Sequence, residues 1–225
     1  MKSKKTMWAA IGVTILLLAV VIYWIFRSFD ASGYVNAVLA QYLKGDTTAA
    51  FEMMDDVTEE TLLTQYEEGV AAFVESNVAN GIEMDDTLKE NYIALCKKIF
   101  ADMKYKVGET EKTSRSSYEV PVTYQSVDIF EKFAQSLAEE KVRLTEKVER
   151  GEYKGTLEEI NAQMQKEFLE QSYGLFEEAY NAMEFSEETT IVFHVEKGNN
   201  DLFGVKESEI ADFIAKIMGL DENQD

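Results

Sequence analysis

MKYKVGETEKTSRSSYEVPVTYQ, residues 103–125, is the stretch where the hydrophobic period of the chain changes from that of a helix to that of a strand. Apolar residues alternate with lysines over 103–107, and tyrosines and valines alternate with Glu119, Pro121 and Thr123 over 118–124. Because successive side chains of a strand point to opposite faces, this pattern predicts a β-hairpin with one buried face. Pro121, the only proline of the chain, indicates an edge strand or a β-bulge.

Four helices are predicted before this hairpin. In each of them apolar residues recur every three or four positions, as on one face of a helix. The segments are 34–44, 47–54, 58–78 and 86–101. Gly45 suits the end of the first helix and Asp46 the N-cap of the second, while Thr58 suits the N-cap of the third.

The helical period returns after the hairpin and then gives way to strands again. Helices are predicted over 126–150 and 156–183, and the second opens on the capping-box signature Thr156 to Glu159. Two short strands follow around 191–195 and 202–206, and Ser208 suits the N-cap of a last helix. The sequence therefore predicts an α+β fold with about four antiparallel strands in two hairpins, a long helical pair inserted at 126–183, and a C-terminal helix.

The N-terminal segment 7–26 contains 20 residues without a charge. At about 1.5 Å per residue a helix of this length spans roughly 30 Å, the thickness of the hydrocarbon core of a bilayer. Lysines precede the segment and only Arg27 follows it, so the positive-inside rule keeps the N-terminus in the cytoplasm. We therefore expect a single-pass transmembrane anchor. Cleavage after Gly33 is the alternative, and it would give a secreted protein.

These features predict the organisation of the chain. Residues 1–6 form a cytoplasmic stub, 7–26 the anchor, 30–220 an extracytoplasmic α+β domain, and 221–225 a tail. Setting aside the four bases of the first 27 residues takes the net charge from −20 to −24. A domain of this charge repels nucleic acid and anionic lipid, which excludes a nucleic-acid partner. The membrane, through 7–26, is the predicted partner, and the sequence does not identify a protein or small-molecule partner.

Neither the single histidine nor the single cysteine of the chain points to a catalytic site. His194, the only histidine, alternates with Ile191, Phe193 and Val195 and is expected on the solvent side of its strand. Cys96, the only cysteine, lies on the apolar stripe of its helix and is interpreted as a buried small hydrophobic residue.

The remaining candidates are explained by helix ends and core packing. The acid pairs Asp55–Asp56 and Asp85–Asp86 flank helix boundaries, where carboxylates cap helix N-termini, and a calcium-loop spacing is absent. The three tyrosines 105, 118 and 124 could line a pocket, but aromatic rings on an inward strand face favour core. The sequence also contains no phosphate loop, zinc-ligand spacing or nucleophile elbow. No catalytic, cofactor-binding or metal-binding residue is predicted, and no cofactor.

Two segments carry a resemblance to a known family: YVNAVLAQYLKGD at 34–46 and LFGVKESEIADFIAKIMG at 202–219. Together with the order of elements, they resemble the nuclear-transport-factor-two-like, cystatin-like α+β domains, in particular the uncharacterised ones of bacterial surface lipoproteins. The resemblance implies a cone of sheet and helices. The chain departs from that family in having an anchor instead of a lipobox cysteine, Phe203 where such domains often have Trp, and the insertion at 126–183. No catalytic motif of the enzymatic members maps onto this sequence.

Three functions fit these observations. The first is a non-catalytic binding or accessory module that is held at the outer face of a bacterial membrane. The second is an isomerase or dehydratase that uses a buried carboxylate with a tyrosine. The third is a structural single-pass component of an envelope complex. A buried carboxylate beside Tyr105 or Tyr124 favours the enzyme, whereas an apolar surface on the 126–183 pair favours a protein partner.

Overall fold

The structure, a computed structural model, describes residues 29–53, 57–79, 84–198 and 202–220. Contacts group the chain into two units, Met1–Ala31 and Ser32–Asp225. The predicted cytoplasmic stub, anchor and tail lie outside the described residues. Within the described ranges, no helix combines the length and the apolar character needed to cross a bilayer.

Seven α-helices and five strands form within the described residues. In chain order the helices are α1 (Ala31–Lys44), α2 (Thr48–Met53), α3 (Glu59–Val74), α4 (Asp86–Asp102), α5 (Ile129–Glu149), α6 (Leu157–Asn181) and α7 (Glu207–Ile217). The strands are β1 (Tyr105–Val107), β2 (Glu111–Lys112), β3 (Ser117–Tyr124), β4 (Thr189–Lys197) and β5 (Phe203–Val205). The α+β class and the position of the helical pair between two hairpins are confirmed.

The strands form one antiparallel sheet in the order β1-β3-β4-β5, and β2 also pairs with β3. One face of this sheet is buried, as the alternation of the sequence predicts. Its fully or nearly fully buried side chains are Tyr118, Val120, Val122, Tyr124, Phe193 and Val195. The helix α7 covers this face, because Phe213 has no exposed surface and contacts the rings of Tyr124 and Phe193.

The sheet contains the four predicted strands, β1, β3, β4 and β5, and a short fifth strand, β2, forms within the polar segment that was expected to be a turn. The pairs Val107↔Val122 and Glu111↔Glu119 leave three residues of one strand opposite two of β3. This is the count of a β-bulge. Pro121 lies beside the bulge in β3, which is a central strand and not an edge. The edge alternative is therefore wrong and the bulge is found, with the carbonyl of Pro121 accepting from the N–H of Gly108 at 2.7 Å.

Most predicted helix ends are found. The side chains of Thr58 and Asp85 accept from backbone N–H groups in the first turns of α3 and α4. Thr156 and Glu159 form both hydrogen bonds of the capping box. The prediction for Ser208 is wrong, because α7 already begins at Glu207 and Ser208 lies within its first turn.

The helical pair α5 and α6 joins the rest of the fold through aromatic contacts. Phe73 of α3 lies with its ring centroid 4.9 Å from that of Phe100 in α4 and 5.7 Å from that of Phe130 in α5. Phe130 is buried. These edge-on contacts tie α3, α4 and the start of α5 into one core.

Candidate functional site

The base of the helical hairpin, which we define as residues 129–181, is held on α4. Phe176 of α6 is fully buried, with its ring centroid 4.7 Å from that of Phe133 and 5.8 Å from that of Tyr92. The hydroxyl of Tyr92 donates to the Ser172 hydroxyl at 2.8 Å, and both residues are buried. Because this hydrogen bond satisfies the polar atoms of an otherwise aromatic contact, the base packs as a core and not as a pocket.

Further along, the two helices are joined by an ion cluster, defined as Glu140, Arg143, Lys147, Tyr153 and Glu167. Arg143 donates to both carboxylate oxygens of Glu140, at 2.7 and 2.6 Å, and to Glu167 at 2.7 Å. Lys147 and Tyr153 donate to the same Glu167 carboxylate, at 2.7 and 2.6 Å. Three donors therefore meet on one side chain of α6, and this fixes α6 against α5 and the connecting loop.

The cluster gives the hairpin a dependence on pH. Hydrogen bonds from Lys147, Tyr153 and Arg143 lower the pKa of Glu167 from 4.5 to about 2. Partial burial and the hydrogen bond to Glu167 raise the pKa of Tyr153 to about 12. Since the pKa of Glu167 is lower in the folded state, its stabilising effect is complete above pH 4.5 and is lost as the pH falls towards 2.

We expect Glu167→Gln to be less stable than the wild type at neutral pH, and most of that difference to disappear as the pH falls from 4.5 to 2. The variant keeps the shape of the side chain but cannot carry the charge. Urea unfolding of both proteins at several pH values measures the difference. If the difference in unfolding free energy between the two proteins stayed constant from pH 4.5 to 2, the lowered pKa assigned to Glu167 would be contradicted.

The opposite face of the hairpin carries a groove. We define this hairpin groove by its lining residues: Lys141, Leu144, Thr145, Asn161, Met164, Gln165 and Phe168. Positions two apart on a helix differ by roughly 200°, so Lys141 and Thr145 face away from Arg143 and Lys147, which lie two positions further on. The groove has a volume of about 450 Å³. Leu144 forms its buried floor, while Met164 and Phe168 are half-buried.

Apolar side chains near the tip of the hairpin are exposed as well. Leu157 is 75% exposed, Val142 is 59% exposed, and Val148 is also exposed. A further cavity of about 500 Å³ lies between α6 and the start of α4, and it shares Gln165 with the hairpin groove. The hairpin thus has one face closed by ion pairs and one that exposes apolar surface.

The tyrosines that could have lined a pocket are packed instead. The ring centroid of Phe213 lies 5.4 Å from that of Tyr124 and 6.3 Å from that of Tyr105, and Tyr118 packs on Phe203 at 5.4 Å. The exposed Asp46 carboxylate is close enough to Tyr105 to act with burial in raising its pKa. In the described part of the chain, neither Tyr105 nor Tyr124 has a buried carboxylate beside it.

His194 is exposed on the outer face of β4, as predicted. Its Nδ1 lies 2.8 Å from Oε1 of Glu209, and its backbone N–H donates to Oε2 of the same carboxylate at 3.0 Å. Glu209 belongs to the first turn of α7, so this pair attaches the start of α7 to β4. The geometry gives His194 a structural role.

The acidic candidates that the structure describes are explained by helix ends. Asp85 caps α4, and Asp46 accepts from the N–H of Thr48 at the start of α2. Gly45 ends α1 with a φ of 65°, a conformation that favours glycine. Asp55–Asp56 lies outside the described residues. Among the described residues, no group of three or more potential ligands could hold a metal ion.

A polar pocket of about 440 Å³ lies where β3 leads into α5 and α6 leads into β4. Its acids are Asp128, Glu131 and Glu184. The ammonium of Lys132 pairs with two of them, at 2.8 Å from Asp128 and 3.5 Å from Glu184. Burial alone would raise the pKa of Asp128, but the N–H of Glu184 and the Lys132 ammonium lower it. Lys132 thus pairs with two of the three acids, and the third, Glu131, accepts from the Gln135 amide. The pocket is therefore an ion-paired junction between elements.

Cys96 is completely buried, which confirms the interpretation from sequence. Burial raises the pKa of its thiol to about 12. Since the thiolate is the reactive form, we expect a thiol reagent to label the folded protein at least on the order of 10³-fold more slowly than the unfolded chain. Rapid stoichiometric labelling of the folded protein would contradict this, and the single cysteine removes any background signal.

Sequence reasoning did not identify the ion cluster or the hairpin groove. The only signals present were the spacing of Glu140, Arg143 and Lys147 on one side of α5 and the apolar stripe of α6. Neither signal says which residue of α6 lies opposite which residue of α5.

Comparison with protein-family models and with curated proteins finds no match. One solved structure that this chain resembles is that of a candidate lipoprotein, ycdA, from Bacillus subtilis subsp. subtilis strain 168. The two chains are 12% identical, with a TM-score of 0.49 over 84% of this chain and 56% of the other. This chain therefore spans about half the length of that protein, and a likeness at this level assigns neither a family nor a function.

Proposed function

We propose that this protein is a non-catalytic binding module, anchored in a bacterial membrane through residues 7–26, whose extracytoplasmic helical hairpin binds a helix of a protein partner. The charge-free segment of 20 residues and the lysines before it support the anchor and its orientation. A net charge of −24 on the remainder keeps the domain away from anionic lipid and leaves the hairpin available to a partner.

The observation that carries this proposal is the asymmetry of the hairpin. Its ion cluster holds α5 against α6 without a partner, so the groove on the other face is formed in advance. Leu144, Met164 and Phe168 give this groove an apolar floor, and its rim has a single charge, Lys141. Two antiparallel helices with such a groove accept a third helix that presents its apolar face, as in other helix-in-groove complexes.

The partner site is tested by crosslinking in intact cells. A photoreactive residue at Asn161, on the rim of the groove, is expected to give one adduct of discrete mass. The same residue at Glu146, on the other side of α5, is the control and is expected to give none. Met164→Glu puts a charge into the apolar floor and is expected to reduce the adduct roughly tenfold or more.

The outcomes separate the candidate functions. Equal amounts of adduct from Asn161 and Glu146 would show that the partner contacts both sides of the helical hairpin, as in a structural component of a complex. An adduct at Asn161 that Met164→Glu leaves unchanged would contradict binding in the groove. The melting temperature of Met164→Glu serves as the folding control, and a small change is expected because Met164 is only half-buried.

The anchor and its orientation are tested separately. Protease added to intact protoplasts is expected to digest the domain at 30–220, while the full chain fractionates with the membrane. Recovery of the chain from the culture medium would show that cleavage after Gly33 replaces anchoring. A protected domain would show that the orientation is wrong.

A further inference from the structure

The strand β4 is longer than the strand that pairs with its outer side. It contains nine residues, whereas β5 pairs with only three of them, Val195, Glu196 and Lys197. On its other side β4 pairs with β3 along its whole length apart from the last residue. Residues 189–193 therefore have a strand neighbour on the β3 side alone. We call this segment the open edge.

Hydrogen bonds at the far end of β4 show which backbone groups of the open edge point outward. The N–H of Lys197 donates to Ser116 on the β3 side, whereas the N–H groups of Gly198 and His194 donate on the other side, to Leu202 and Glu209. Because the direction alternates along a strand, Thr190 and Val192 point their N–H and C=O groups outward. Among the described residues, none bonds to these outward groups.

The outer edge of β4 is covered at His194 but not along the open edge. The Glu209 carboxylate takes the place of a neighbouring strand at His194, where it accepts from the backbone N–H. The segment that precedes it, Thr189–Thr190–Ile191–Val192, is rich in β-branched residues and contains no lysine or proline. Val192 is 41% exposed. Natural sheets usually protect edges of this kind, because an unprotected edge pairs with other chains.

The charges around the open edge indicate the kind of chain that pairs with it. Glu187 and Glu188, both exposed, lead into the strand. On α7, Glu209 contacts the strand directly, and Asp212 and Lys216 follow at successive turns of the same helix face. Glu188 lines a pocket with Lys104 and Lys106 on the β1 side of the sheet. The flanking segments therefore contribute three acids, Glu187, Glu209 and Asp212, against one base, Lys216, in a chain whose net charge is −20. This field attracts a basic peptide and disfavours a second copy of the acidic chain.

We infer that the open edge of β4 binds an extended, lysine- or arginine-bearing peptide segment by β-strand addition, using the outward backbone groups of Thr190 and Val192. Backbone hydrogen bonds hold the peptide, and the surrounding acids select its charge. This surface lies on the sheet and is distinct from the hairpin groove, so a single protein of this kind can contact a helix and an extended segment at the same time.

The test uses the full chain in detergent and a synthetic peptide of alternating threonine and valine flanked by lysines. Fluorescence anisotropy is expected to show binding that weakens as salt is added. Val192→Pro removes the outward N–H, which does not serve the β3 ladder, and proline is tolerated at edges. We expect it to weaken binding at least tenfold. Val192→Thr keeps the N–H and is the matched control, with binding expected within about twofold.

A second measurement does not depend on whether the variant folds. The same peptide, N-methylated at alternate amides, cannot complete the ladder and is expected to bind the wild-type chain at least tenfold more weakly. Binding that both changes leave intact would be charge attraction without strand addition and would overturn the inference, as would no binding at all. Dimerisation of the chain that Val192→Pro abolishes would also overturn it, because a second copy would then be the occupant.

Discussion

Phe213→Ala is expected to lower the free energy of unfolding by about 3–5 kcal/mol, the range found when a buried phenylalanine is truncated. The ring has no exposed surface and packs against three rings on the buried face of the sheet, those of Tyr105, Tyr124 and Phe193. Its removal leaves a cavity between α7 and the sheet, and the surrounding strands can close it only in part.

The matched control is Phe51→Ala, since Phe51 lies on α2 with 44% of its surface exposed. A loss within about 1 kcal/mol is expected there, and urea unfolding measures both variants. If Phe213→Ala also lowered the free energy of unfolding by no more than about 1 kcal/mol, the buried face of the sheet would tolerate a cavity. That result would favour the isomerase-like or dehydratase-like alternative, which needs a cavity beside Tyr105 or Tyr124.

The helices and their ends could be predicted because both depend on local sequence. Thr58, Asp85 and the capping box Thr156–Glu159 each act within one turn of their own helix, so no long-range contact is needed to identify them. The alternation over 118–124 also fixed which side chains of β3 are buried. Ser208 was misplaced as a cap because the N-cap of α7 is Lys206, two residues earlier. An error of one or two residues is usual at helix ends.

The strand pairing of the sheet could not be predicted in detail, because the sequence does not show which residues lie opposite each other in neighbouring strands. Proline is disfavoured in a central strand because it lacks a donor, which made an edge position reasonable for Pro121. In the structure the bulge at 108–110 separates β1 from β2 opposite Pro121. Because regular pairing is interrupted there, the absence of an N–H on Pro121 costs little. The bulge in turn lets β2 resume pairing within a segment that had the composition of a turn.

The candidate site was less predictable than the fold. The apolar stripe of α6 indicated a helical pair with a buried face, but the register between α5 and α6 decides what that pair displays. That register brings Arg143 and Lys147 to Glu167 and leaves Met164 and Phe168 on the open side. The open edge of β4 likewise follows from the shortness of β5, which contains only three residues.

Phe176→Ala is expected to cost about 3–5 kcal/mol and to act chiefly on the base of the helical hairpin. The buried ring joins Phe130 and Phe133 of α5 to Tyr92 of α4. Its loss weakens the contact that holds the hairpin on α4, while the sheet and α7 keep their own core. We therefore expect hydrogen exchange to rise more in 129–181 than in β3 and β4.

Phe168→Ala is the matched control, because this phenylalanine lies on the same helix but is half-buried in the hairpin groove. It is expected to cost only about 1 kcal/mol, since much of its surface is already in water. The two variants should then separate stability from binding: Phe168→Ala loses the Asn161 crosslink in a well-folded protein, whereas Phe176→Ala loses stability first. If Phe168→Ala were as destabilising as Phe176→Ala, the groove would be part of the core, and its apolar lining would need no partner to explain it.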